Sequence, residues 1–126
     1  MAHLFLVALG GAIGSGARHL VNLAVLRLLG PNFPAGTLIV NVLGGFLMGL
    51  LVGFLALKYA GGGQGLRLFL ATGILGGFTT FSAFSLDAVL LWERGEVLAA
   101  ASYVVVSVVL SVGALVLGLM FMRAAA

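Results

Sequence analysis

Apolar residues run through this chain in four long blocks, about residues 3–29, 35–59, 66–91 and 97–122, separated by short stretches rich in glycine, proline and charge. Each block is long enough to cross the hydrocarbon core of a bilayer, which takes about 20 helical residues. The blocks predict an all-α membrane protein of four transmembrane helices in a single domain, residues 1–126, with short turns between spans. Small and polar residues within the blocks keep a helical step. Thr37, Asn41, Gly45, Gly49 and Gly53 follow one another every four residues and share one face of the second span. Tyr103, Ser107 and Ser111 do the same in the fourth. Gly10 and Gly14 give the first span a face that a neighbouring helix can approach closely.

The third block interrupts itself. Near its middle stands Gly76-Gly77-Phe78-Thr79-Thr80-Phe81-Ser82-Ala83-Phe84-Ser85, at a depth where lipid offers no water to freed backbone groups. A break there must be covered by protein or line a cavity. The predicted arrangement is two half-helices, the first ending at Gly76-Gly77 and the second capped by Thr79 or Thr80. Carbonyls left over at such a junction carry partial negative charge and suit a small cation.

Beyond the break, Phe81 and Phe84 lie three apart on one side of the second half-helix, with Ser82 and Ser85 on an adjoining side. An aromatic pair at this spacing can be core packing. It can also present electropositive ring edges to an anion, with hydroxyls offering hydrogen bonds alongside. Asp87, about one turn later, marks a wet vestibule. Asn41 is either glue between helices or an amide donor to a passing anion. The serines of the fourth span either bond their own backbone or wall a narrow polar path. Arg18, near the middle of the first span, costs on the order of 2.5–3.5 kcal/mol unless compensated. It either reaches back to an interface or faces a water-filled vestibule, and the second reading is preferred.

Composition narrows the class. Of 126 residues, 63% are hydrophobic and 7% charged, and the mean hydropathy is +1.31, so there is no charged shell for a soluble domain. The absence of cysteine excludes disulfides and thiolate metal sites. His3 and His19 lack partners at metal-ligand spacing, and no residue set suggests catalysis, so an enzyme is not expected. A net charge of +3 from scattered basic residues is too thin for nucleic acid and reads as membrane-edge anchoring. The first apolar block, broken early by glycines, is read as a retained helix and not a signal peptide. Gly30-Pro31-Asn32-Phe33-Pro34 reads as a turn with Pro34 starting the second helix, Gly61-Gly62-Gly63-Gln64-Gly65 as a loop between Lys58 and Arg67, and Trp92, Glu93, Arg94 and Glu96 as an interfacial turn.

Basic residues at the two membrane faces number three (Lys58, Arg67, Arg123) against two (Arg27, Arg94), too even to fix an orientation. Insertion both ways and an antiparallel homodimer are expected, because four spans cannot enclose an ion path and two inverted copies reproduce a transporter's inverted repeat.

Gly11-Ala12-Ile13-Gly14 leading to Arg18, then Phe33-Pro34-Ala35-Gly36-Thr37-Leu38 with Asn41, and above all the Gly76–Ser85 string, together resemble the Fluc (CrcB) fluoride channels over essentially the whole chain. The resemblance implies a dual-topology homodimer in a prokaryotic plasma membrane, with two antiparallel pores that let fluoride leave the cytoplasm passively and confer fluoride resistance. It implies that Phe81 and Phe84 form the aromatic box, that Asn41 and Thr37 line the pore, that Tyr103, Ser107 and Ser111 form the polar track, and that Ser82 and Ser85 stand beside the boxes. Arg18 and Asp87 fall toward the vestibules. A structural sodium ion at the dimer centre would be held by carbonyls of Gly76 and Thr79 from both copies. The chain departs from the family pattern at Ala83, where a threonine is common, and at Asp87, where a glutamate is.

Two rivals differ in mechanism. A proton-coupled exporter of the small multidrug type would need a carboxylate in the first span, where this chain has Arg18. An assembly factor without transport would need only the glycine faces and leaves the broken helix unexplained.

Overall fold

In a computed structural model that describes residues 1–59 and 62–125, four helical spans are long and apolar enough to cross a membrane. Three are continuous: α1 (Ala2–Leu29), α2 (Ala35–Tyr59) and α6 (Val97–Ala125). The third span is composite, running from α3 (Gln64–Arg67) through a π-helix (Leu68–Leu75) into the single turn α4 (Gly76–Phe78), then, after a non-helical gap, α5 (Ser82–Glu93). No strand occurs among the described residues. The predicted spans are reproduced to within three residues at every end. Of the predicted Gly61–Gly65 loop, Gly61 lies outside the described residues, and Gln64 and Gly65 already belong to α3. Pro34 stands one residue before the helix it was expected to begin. Its carbonyl accepts from the Leu38 N–H at 3.4 Å, so it occupies the capping position.

Two glycine seams set the packing. In the first, α1 lies against the π-helix and α4. A Cβ on Gly10 would come within 2.9 Å of the Gly73 Cα and the Ile74 N, one on Gly14 within 2.8 Å of the Phe78 N, and one on Gly77 within 2.7 Å of the Gly11 carbonyl oxygen. The second seam joins α2 to α6. A Cβ on Gly45 would approach the Ser111 carbonyl oxygen to 2.8 Å, and one on Gly49 the Leu119 N to 2.9 Å, while from the other side one on Gly118 would approach the Leu50 N to 2.9 Å. Without a hydrophobic drive between helices in lipid, such backbone-to-backbone approach is what dispersion can use.

The first seam corrects one expectation. The helix does not end at Gly76-Gly77; it continues through Phe78 and stops at Thr79, whose ψ of 161° is extended. The paired glycines do not break the helix. Gly77 lets α1 close onto the third span, and a glycine in a packed membrane helix remains helical because its neighbour supplies the contacts that it lacks.

Because the α2–α6 seam meets backbone, which cannot move aside, Gly49→Val is expected to abolish or strongly lower the yield of monodisperse protein. The strain expected for overpacking is about 1–3 kcal/mol or more. Gly113→Ala, where a Cβ meets nothing within 4 Å, should leave thermal unfolding in detergent at or above the original midpoint. Equal behaviour of the two variants would show that the seam does not hold the fold.

Candidate functional site

At the end of α4, the Thr79 N–H and the Thr79 hydroxyl both donate to the Leu75 carbonyl at 3.0 Å, closing the helix. A continuing helix would next spend the Thr80 N–H on the Gly76 carbonyl. It goes instead to Oδ1 of Asn41 at 2.8 Å, while Nδ2 of Asn41 donates back to the Thr80 carbonyl at 2.9 Å. One carboxamide from α2 thus pairs with both polar groups of a residue that no helix satisfies. Thr80 also reaches the second half, which begins at Ser82, its Oγ1 accepting from the Ala83 N–H at 3.1 Å. The capping position itself is Phe81, without a side-chain cap bond, so neither threonine caps the second half as expected; Thr80, one residue further out, still satisfies one of its free N–H groups. A Cβ on Gly44 would collide with Cγ2 of Thr79, so this glycine gives the gap room against α2.

Beside the gap opens a cavity of about 480 Å³ between α2, the third span and α6. It brings together Asn41, Gly76, Thr79, Phe81, Phe84, Ser107 and Ser111, residues drawn from three spans that the sequence singled out separately. The Phe81 and Phe84 rings are 5.5 Å apart and tilted by 48°. Phe84 is buried, whereas Phe81 is 77% exposed on the protomer surface. The side-chain oxygens of Ser107 and Ser111 are buried without a hydrogen-bond partner among the described residues. They do not bond their own backbone, the alternative open to a membrane serine. A buried hydroxyl left unpaired is expensive unless something comes to it.

Other predicted residues lie around this groove. Tyr103 is wholly buried (0% exposed), its ring 5.3 Å from that of Phe84 and tilted by 41°, and its hydroxyl donates to Oδ2 of Asp87 at 3.2 Å. Thr37 and Asp87 line a second cavity, of about 400 Å³, under the α1–α2 turn. Arg18 and Ser82 line a third, of about 460 Å³, with Ser15, His19 and Asn22. Among the described residues no carboxylate lies within ion-pair distance of Arg18. Ser85 donates to the Phe81 carbonyl at 2.9 Å, so this hydroxyl is spent on its own helix.

Comparison with known proteins fits this geometry. The profile of the family described as CrcB-like protein, Camphor Resistance (CrcB), matches residues 5–119. The chain belongs to the CrcB family. Relatives named fluoride-specific ion channel FluC include those of Mesorhizobium japonicum, 54% identical over 98% of both chains, and Chelativorans sp., 58% identical over 98% of both. That of Rhizobium etli is 55% identical over the full length of both chains. As a CrcB-family chain with four apolar spans, this is a multi-pass membrane protein of the cell membrane.

Three contributors went unremarked in the sequence as site residues. Thr80 carries the gap's backbone pairing, Asn22 borders both outer cavities, and Phe33 packs on Tyr103. Gly36 was a usable signal for Asn22, since a Cβ there would run into the Asn22 side-chain oxygen.

The hydrogen bonds separate two kinds of polar residue. Asn41→Leu orphans both Thr80 groups and should cost about 1–3 kcal/mol for each, read as a large drop in the thermal midpoint in detergent. Ser107→Ala removes a hydroxyl with no partner and should leave the midpoint unchanged or slightly raised. A Ser107→Ala loss as large as that of Asn41→Leu would mean that the serine is structural.

Proposed function

We propose that the protein is a fluoride-selective channel through which fluoride leaves the cytoplasm passively, and not an enzyme. The observation that carries this reading is the groove in which two phenylalanines, an amide and two partnerless buried hydroxyls converge beside a helix gap. A fluoride ion needs hydrogen-bond donors to replace its water. The unspent hydroxyls of Ser107 and Ser111 and the second N–H of Asn41 can donate, while Phe81 and Phe84 offer electropositive ring edges without adding a fixed charge that would hold the ion too tightly. The relatives named fluoride-specific channels support the choice of ion.

The conducting unit in this reading is an antiparallel dual-topology homodimer with two pores. A protomer alone leaves Phe81 on its surface and the serine groove open-sided toward lipid, where polar walls are costly. A second, inverted copy would cover both. The Gly76 carbonyl, deprived of its Thr80 partner, and the carbonyl of extended Thr79 are hard oxygen donors that fit a small cation such as sodium. Contributed by both copies, they would hold it at the dimer centre, where it would supply positive charge to lock the four half-helix ends together. Arg18, facing its own polar cavity, would raise the local concentration of anions in a vestibule.

Purified protein in liposomes, followed with a fluoride electrode, should release fluoride and retain chloride; equal passage of both would contradict the selectivity. Phe81→Ile and Phe84→Ile should each slow efflux by about ten-fold or more, and unchanged rates in both would return these rings to packing. Since the chain has no cysteine, a single Ala2→Cys should label from both sides of the membrane in comparable amounts. Labelling from one side alone would exclude dual topology.

A further inference from the structure

The aromatic contacts do not end at the phenylalanine pair. From Phe81 the rings continue to Phe84, then to Tyr103 at 5.3 Å, then to Phe33 at 5.4 Å, where the planes are perpendicular at 89°. Phe33 lies in neither α1 nor α2. It sits in the turn between them, is 39% exposed, and lines the outer cavity of about 400 Å³ together with Thr37, Asp87 and Arg94. Phe33 is thus the ring of the column that lines the outer cavity, and it covers the fully buried Tyr103 from that side.

The turn is built to hold that ring still. Pro34 follows Phe33, and the residue before a proline is pushed toward extended backbone. The carbonyl of Asn32, immediately before, accepts from Nη2 of Arg94 at 3.0 Å. The same Nη2 lies 2.8 Å from Oε2 of Glu96. Gly95, with φ of 82°, permits the tight reversal that turns Glu96 back onto Arg94. Arg94 therefore ties the α1–α2 turn to the far end of the third span, on the other side of the cavity.

Resting on the channel reading above, we infer that the α1–α2 turn is part of the anion path. Phe33 is its outermost aromatic residue, setting the ring plane of Tyr103 and offering a ring edge at the mouth, and Arg94 is the positioning residue that holds Phe33 there through the Asn32 carbonyl.

The test is fluoride efflux from liposomes carrying full-length protein, with the unaltered protein run alongside. Efflux by the unaltered protein upholds the channel reading whatever the variants do, so the two claims fail separately. Phe33→Ile should slow efflux by about three- to ten-fold, the range an aromatic contact commands, and Phe33→Leu carries the same expectation should the isoleucine variant not reconstitute. Phe33→Tyr, which keeps the ring, should recover most of the lost rate. Arg94→Gln should slow efflux, Arg94→Lys should partly restore it, and Arg94→Gln added to Phe33→Ile should slow it no further, because the arginine acts through the ring. Unaltered rates in Phe33→Ile and Phe33→Leu, or Phe33→Tyr no faster than they are, would overturn the role of Phe33. A double variant slowed by the product of the two single effects would overturn the positioning role of Arg94.

Discussion

A helix that stops inside a bilayer leaves backbone donors and acceptors that neither lipid nor the helix can satisfy, and each such group costs several kcal/mol. In this protein one side chain meets that cost for the residue at the centre of the gap, Thr80. The Asn41 carboxamide pairs with both the N–H and the carbonyl of Thr80, much as a neighbouring peptide would. The gap at Thr79–Phe81 is stable because of this pair, and the rest of the site follows from the gap. Diverting the Thr80 N–H frees the Gly76 carbonyl, and restarting the helix at Ser82 points Phe84 into the groove, toward Tyr103. Asn41 is thus glue between helices, and the pair uses one of its two side-chain N–H groups.

The two glycine seams place the partners that the pair requires. The α1 seam grips the π-helix and α4, fixing where the first half of the third span ends, and the α2 seam sets α6 one helix away, so that Ser107 and Ser111 face the same groove as Asn41. In lipid the seams are the cheap part of the fold, since small residues let whole backbones touch. Polar residues are the expensive part. They are therefore confined to positions where a partner, a cavity or a passing ion can repay their burial.

Much of this was legible in the sequence. Hydropathy set the spans, and a four-residue step placed Asn41 on the glycine face and Ser107 and Ser111 below Tyr103. The break was legible as a region and not as a residue. Glycine signals both a helix end and a close helix contact, and only the position of α1 decides between them, which moved the gap from Gly76-Gly77 to Thr79. The π-helix over Leu68–Leu75 had no signal, because a uniformly apolar run looks the same at any helical period. Phe33 stood out as part of a motif and not as a site residue, because its partner Tyr103 lies in the last span and the Arg94 bond to the neighbouring Asn32 carbonyl is one that no side-chain pattern encodes.

The braced gap is best tested on the backbone itself, by solid-state NMR of isotopically labelled protein in lipid bilayers. The Thr79 carbon shifts should be of the extended type between helical values at Gly77 and Ser82, with a dipolar contact between the Asn41 side-chain nitrogen and the Thr80 carbonyl carbon. Helical shifts running unbroken from Gly76 to Phe84, with no such contact, would contradict it.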